Sequence, residues 1–278
     1  MIVAVAGGKG GVGKTLISTS LARANAPVQF LDCDVEEPNA HLFLKFTPRR
    51  SERVEINIPQ YRKWKGDACV AGAEFCRYQA LVVVNDDMLV FPQLCTSCGG
   101  CFLLCSDQVL QPVSHIVGSV RSGVSSGGVN MVSGELRIGE QSTTEVIKAV
   151  KSRLSPDHDV VIDSPPGNSR PALEAVRGSD FCLLVTEPTP FGLEDLKGNK
   201  ELIDLLNIPA GVVINRSGGP YQEVSRWASD QGIPVLAEIP WNFEIARGAA
   251  RGRTLPEIDP DWNERLRVLW GDIERIIR

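Results

Sequence analysis

The chain has 278 residues, 43% of them hydrophobic, and a formal net charge of -5, which is enough apolar material for a large core in one or two domains. The acidic balance excludes a generally basic nucleic-acid surface, and no apolar run approaches the roughly 20 residues of a membrane span. Residues 1–6 run straight into glycines without a charged leader or cleavage site, which predicts a cytoplasmic protein. Six of the eight cysteines fall between Cys69 and Cys105. In a reducing compartment such a group reads as metal ligands rather than as a disulfide framework.

Residues 2–6 form a short apolar strand, and 14–24 are compatible with a helix, so that a glycine loop lies between strand and helix. A second buried strand, 28–31, ends in Asp32-Cys33-Asp34. From about Thr47 to Pro112 the pattern turns irregular, with Trp64, scattered prolines and one clear β-rich run at 81–84, and this stretch reads as an insertion. The glycine- and serine-rich segment 118–139 predicts turns or a hairpin. After Thr143 the α/β rhythm returns, with a helix to Leu154, strands at 160–163 and 181–186, a helix at 193–206, a strand at 212–215, a helix at 221–231 and a strand at 235–239. Short buried strands separated by helices predict an α/β fold with a mostly parallel sheet covered on both faces. A last helix, 261–278, places Trp262, Leu266, Leu269, Ile273, Ile276 and Ile277 along one face for packing. The predicted domains are 1–46 with 113–278, and an inserted 47–112.

The loop Gly8-Lys9-Gly10-Gly11-Val12-Gly13-Lys14-Thr15 fits G-x-x-x-x-G-K-[ST]. In that pattern backbone N–H groups close around phosphate oxygens, the lysine neutralises the terminal phosphates and the hydroxyl binds Mg²⁺. Lys9 is extra to it. With Lys9, with Asp32-Cys33-Asp34 at a first switch, with Asp163-Ser164-Pro165-Pro166-Gly167 at a second and with Asn215-Arg216 at a strand end, the chain resembles the MinD/ParA class of ATPases. That class includes the nitrogenase iron protein and the Mrp-type cluster carriers. The resemblance implies that ATP contacts Gly8, Lys9, Gly10, Gly11, Val12, Gly13, Lys14, Thr15, Leu16 and Asn215. It implies Mg²⁺ at Thr15, Asp32 and Asp163, catalytic roles for Lys9, Lys14 and Asp34, and a homodimer in the ATP state in which Lys9 reaches the facing subunit's phosphates. Asp34 would position the attacking water, since phosphoryl transfer needs positioning and charge stabilisation above all. Leu16 stands where the class has a second threonine, which removes a hydroxyl near the α-phosphate.

Cys95-x2-Cys98-x2-Cys101-x3-Cys105 has the spacing of half a bacterial two-cluster ferredoxin, in which the fourth cysteine of each run ligates the other cluster. If Cys76 is the fourth cysteine of a first run, that run needs cysteines at 66, 69 and 72, and the residues are Gly66, Cys69 and Gly72. Counting ligands predicts one 4Fe-4S cluster on Cys76, Cys95, Cys98 and Cys101. Cys69 and Cys105 would then lie close together as thiols or a disulfide. A zinc site on the same thiols, or a module without metal, remains open. Cys33 and Cys182 read as core, and His41, His115 and His158 as polar or capping residues.

Taken together, the two motifs resemble the MinD-superfamily ATPases with an inserted ferredoxin domain, often grouped as cobyrinic acid a,c-diamide synthase-like proteins. This implies an ATP-hydrolysing switch coupled to a one-cluster ferredoxin-like module. Its partner would be a redox protein, with ATP gating electron transfer. The alternatives are a cluster carrier of the Mrp type, which hands its cluster to an acceptor, and a ParA/MinD-like positioning ATPase. A buried four-ligand cluster suits electron transfer better than delivery. Neither nucleic acid nor membrane is expected as a partner.

Overall fold

The computed structural model describes residues 1–62, 69–85, 87–125 and 127–278. Trp64 and Gly66, singled out above, lie outside the described residues. The strands are β1 (Ile2–Gly7), β2 (Gln29–Asp32), β3 (Phe46–Tyr61), β4 (Leu81–Val84), β5 (Asp87–Val90), β6 (Leu110–Ser125), β7 (Asn130–Leu136), β8 (Val160–Asp163), β9 (Phe181–Thr186), β10 (Ala210–Ser217) and β11 (Val235–Pro240). All but β4 and β5 form one sheet in the order β11, β10, β9, β1, β8, β2, β7, β6, β3. From β11 to β7 every pairing is parallel, as expected for strands whose connections cross the sheet faces. The last two pairings, β7 with β6 and β6 with β3, are antiparallel.

The helices are α1 (Lys14–Ala24), α2 (Ala40–Leu44), α3 (Val70–Phe75), α4 (Gly100–Leu104), α5 (Thr143–Lys151), α6 (Arg170–Val176), α7 (Pro190–Asp204), α8 (Glu223–Asp230), α9 (Phe243–Ala249), α10 (Leu255–Ile258) and α11 (Asp261–Ile277). Successive strand residues point to opposite faces, so β1 sends Val3 and Val5 into one core and Ala4 and Ala6 into the other. The first core takes the apolar faces of α1, α2, α10 and α11, and the second takes those of α5, α6, α7 and α8. In α11 the predicted face holds for Trp262, Leu266, Leu269 and Ile273, whereas Ile276 is exposed.

The sheet continues past both expected domain limits. Residues 47–61, which carry no clear pattern in the sequence, are strand β3, paired along its length with β6. The first half of β3 is exposed residue after residue, and alternation begins only at Val54, Ile56 and Ile58. Without a buried face there is no apolar period to read. The hairpin expected at 118–139 is present as β6 and β7, and the β-rich run 81–84 is β4, paired with β5. Between Tyr61 and Leu110 the chain builds a separate small core from Leu81, Met88, Cys105, Val109 and Leu110, with Phe102, Cys69 and Cys76 packed on it.

Phe30 of β2 is fully buried against α1 and its neighbours. Phe30→Ala is expected to cost about 3–5 kcal/mol, whereas Ile138→Ala, at a position 99% exposed, is expected to stay within about 0.5 kcal/mol of the parent. Urea unfolding of the two variants measures both.

Candidate functional site

The glycine loop joins β1 to α1 and opens on a cavity of about 860 Å³. Gly10, Gly11, Gly13, Lys14, Thr15 and Leu16 line it, and Asp34, Asn215 and Trp241 form other parts of its wall. Gly13 has φ 104°, and a Cβ there would lie 2.4 Å from Asn215 Nδ2, so both its backbone angle and its surroundings call for glycine. Asn215 Nδ2 donates to the Val12 carbonyl at 2.8 Å. Arg216 Nη2 donates to the Gly11 carbonyl at 3.1 Å while Nη1 pairs with Glu187. The end of β10 thus clamps the loop from behind.

The structure does not bring every predicted loop residue to the cavity. Val12 is buried in the core. Gly8 faces Asp195 of α7, where a Cβ would meet the aspartate side chain. Lys9 is exposed, with its ammonium 5.7 Å from the Phe191 ring centre and its amide donating to Asp195 Oδ2 at 3.3 Å. Asp195 carries no motif that would mark it in the sequence, and although Arg216 is marked beside Asn215, its contact with Gly11 from 205 residues away is not.

Behind the cavity the β2–β8 register sets Asp32 beside Asp163. Both are fully buried. Neither oxygen of Asp163 accepts a hydrogen bond, nor does Asp32 Oδ1. Asp32 Oδ2 receives long contacts from Ala40 N at 3.4 Å and Ser133 Oγ at 3.5 Å. Burial, then the neighbouring Asp163 and Asp34, holds the Asp32 carboxyl well above the carboxylate range. Burial pushes Asp163 up to about 6, with Thr15 and Lys14 opposing. Burial and then Asp163 push Asp34 up to about 7, with Lys14 opposing. Burial lowers Lys14, and Asp163, Asp34 and Asp195 pull it back up. Buried carboxylates lacking donors form a site short of positive charge.

A second cavity, about 210 Å³, lies between the small core and strand β3 and is lined by Cys76, Cys95, Cys98 and Cys101, with Asn57 and Pro59 of β3 on one side. Ser97 and Gly99 have φ of 55° and 77°, and these left-handed turns curl the 95–101 loop around it. The Ser97 amide points at the Cys95 sulfur, and the Cys101 and Phe102 amides at the Cys101 sulfur. Such donors favour thiolate, although burial still raises both thiols. Cys98 is exposed and the other three are half-buried, so the pocket is more open than the sequence reading expected. Cys69 and Cys105 lie outside it, joined to each other by a disulfide. Among the described residues no group of His, Cys, Asp and Glu is set to hold a single metal ion. Cys33 and Cys182 are buried in the core.

Two contacts link the cavities. Thr143 Oγ1, in the first turn of α5, donates to Glu36 Oε1 at 2.8 Å, and Glu36 lies two residues beyond Asp34 on the wall of the larger cavity. The preceding Ser142 Oγ makes a long 3.5 Å contact with the Cys95 carbonyl. Ser97 Oγ, in the same cysteine loop, donates to Asn57 O of β3 at 2.8 Å.

A glycine loop between a buried parallel strand and a helix, backed by strand-end carboxylates, defines a P-loop nucleotide-binding protein. The chain belongs to the CobQ/CobB/MinD/ParA nucleotide-binding domain family (CbiA), whose model matches residues 3–255. It is similar to the uncharacterised protein MJ0579 of Methanocaldococcus jannaschii, at 30% identity over 98% of both chains. Its fold is similar to that of the septum site-determining protein MinD from Pyrococcus horikoshii, solved with Mg-ADP, with a TM-score of 0.59 and 16% identity over 99% of this chain and 96% of that one. The McdA–ATP complex from Cyanothece gives a TM-score of 0.55 and 14% identity, over 98% and 96%.

Asp34 keeps its proton to about pH 7 in the folded chain and only to about pH 4 when unfolded. Folding therefore takes up a proton between those values, and the ionised side chain weakens the fold above pH 7. In Mg²⁺-free buffer, Asp34→Asn is expected to be more stable than the parent at pH 8. That advantage should shrink as pH falls through 7 and vanish near 4, as read from urea midpoints across the range.

Proposed function

We propose that this chain is an ATP-binding and ATP-hydrolysing switch whose nucleotide state gates electron transfer from a one-cluster, ferredoxin-like module to a protein partner. The observation that carries the reading is the division of the six clustered cysteines. Cys76, Cys95, Cys98 and Cys101 share one cavity, and Cys69 and Cys105 are tied to each other outside it. That division supports one cluster over two, and we take the inserted module as the segment between Tyr61 and Leu110, which has its own core.

In the larger cavity Lys14 neutralises the terminal phosphates, and the amides of Gly10, Gly11 and Gly13 cradle them. Thr15 and Asp163 would hold Mg²⁺, with Asp32 behind; the bound ion supplies the positive charge these buried carboxylates lack. Asp34, at the edge of this group, orients the attacking water. Lys9 projects from the rim and is free to reach the phosphates of a facing copy, which makes the ATP state a homodimer. Asn215 holds the end of the loop and faces the base side of the cavity.

In the smaller cavity the four cysteines would hold the 4Fe-4S cluster, which supplies one-electron transfer. The amides aimed at Cys95 and Cys101 stabilise its thiolate ligands. A single zinc ion needs thiolates converging to about 2.3 Å from one point; the four thiols surround a volume instead. Coupling needs two states that interact differently with the module. The contacts Glu36–Thr143 and Ser142–Cys95 give the nucleotide cavity a short route to the cysteine loop. The exposed Cys98 favours a second reading, a carrier that passes its cluster to an acceptor. Among the described residues no helix is long and apolar enough to cross a membrane.

Anoxically reconstituted protein is expected to bind about four iron atoms and four sulfides per chain, to lose ATP hydrolysis in Lys14→Ala, and to show different cluster potentials with ATP and ADP. Eight irons per chain rule out the one-cluster reading. Equal potentials and equal transfer rates in both nucleotide states rule out gating. Loss of the cluster to an apo-acceptor protein, with matching gain by the acceptor, establishes the carrier instead.

A further inference from the structure

The disulfide sits beside the thiol cavity and is built into the same two helices. Cys69 is the N-cap of α3, whose C-cap is the cavity residue Cys76. Cys105 is the C-cap of α4, which carries the cavity residue Cys101 in its first turn. The Cα atoms of Cys69 and Cys105 are 5.6 Å apart. All six other cysteines are free, so the pairing is selective within a crowded set of thiols.

Gly72 makes that pairing possible. A Cβ at this position would lie 2.4 Å from Cys105 Sγ and 3.3 Å from Cys69 Sγ, with Cys101 Cβ only 3.7 Å away. Any larger residue would displace the Cys105 sulfur. The Cys105 amide donates to the Cys101 carbonyl at 3.0 Å, so disulfide and cavity stand one helical turn apart, about 6 Å along the axis. The two sulfurs also differ in access. Cys69 is half-buried, and Cys105 is 7% exposed within the module's core. One sulfur can exchange protons with solvent while the other is shielded, the asymmetry of a working thiol–disulfide couple.

We propose that Cys69–Cys105 is a redox-active disulfide that exchanges electrons with the neighbouring four-cysteine site; this rests on the cluster assignment given above. Two electrons and two protons convert the disulfide to two thiols. The first electron breaks the S–S bond into one thiolate and one thiyl sulfur, and the second reduces the thiyl to thiolate. Water supplies both protons, by way of the accessible Cys69 side. The electrons come singly, from a low-potential one-electron donor of the ferredoxin or viologen class that reloads the cluster twice. The chain then joins a one-electron centre to a two-electron one.

The test titrates anoxically reconstituted full-length protein, set to the disulfide state with oxidised glutathione, using reduced methyl viologen. Free thiols are trapped by alkylation and located by peptide mass spectrometry. The expected uptake is about three electrons per chain, one for the cluster and two for the disulfide, with Cys69 and Cys105 both alkylated at the end. Cys69→Ser and Gly72→Ala, which remove the pair by deletion and by crowding, are expected to take up about one electron each while retaining about four irons. In Cys95→Ser, which lacks the intact cluster site, the pair should resist viologen yet open to a phosphine. Failure of the pair to form with oxidised glutathione overturns the proposal. So does uptake of about one electron by the parent with Cys69 and Cys105 still linked and iron near four, and this leaves the cluster assignment standing. Equal opening by viologen in the parent and in Cys95→Ser also overturns it, because the cluster is then not the route. Absence of iron from the parent defeats the cluster assignment itself, and this inference with it.

Discussion

The register of β2 on β8 sets the carboxylates of Asp32 and Asp163 side by side with no solvent and almost no hydrogen-bond donors. Two like charges in that position cost several kcal/mol each unless they are neutralised or matched. The geometry around them answers that demand. Lys14 enters at the start of α1, Thr15 presents a hydroxyl beside it, and Asp34 continues the chain from the end of β2. Burial raises all three carboxyls above the usual carboxylate range, an effect that a nearby divalent ion would oppose. The site is thus a stored electrostatic deficit, and nucleotide with metal is a ligand whose charges fit it.

The same packing explains what could be read from the sequence. The loop was legible because its residues are contiguous and each type has one job in the backbone geometry. The parallel strands were legible because burial on both faces leaves dense apolar runs, as in 160–163 and 181–186. Counting cysteines against the two-run pattern set Cys69 and Cys105 apart from the other four; in the structure those two are joined by a disulfide and the other four line one cavity. Strand β3 was hidden, since its first half has no buried face to impose a period. Asp195, the contact of Arg216 with the loop and the Glu36–Thr143 contact were hidden for another reason. Each works through a partner about 100 residues away or more, and local spacing carries no trace of such pairs.

The segment between Tyr61 and Leu110 meets the sheet through both apolar and polar contacts: Leu110 and Tyr61 join its small core, and Cys95 packs on the main core. Ser97 reaches the Asn57 carbonyl on β3, and Ser142 reaches the Cys95 carbonyl from the start of α5. Hydrogen bonds of this kind are individually modest.

The way the insertion leaves the sheet has its own consequence. Tyr61 and Leu110 face each other as the last paired residues of β3 and β6, and the Arg62 amide donates to the Val109 carbonyl just beyond, at 2.8 Å. The two ends of the insertion therefore emerge side by side from a finished ribbon. Bringing distant ends together is the main entropic cost of an internal segment, and here the paired ribbon holds those ends together. The junction behaves as a socket: a short turn would close it, and cargo of another kind could be seated there without altering the strands that shape the nucleotide cavity.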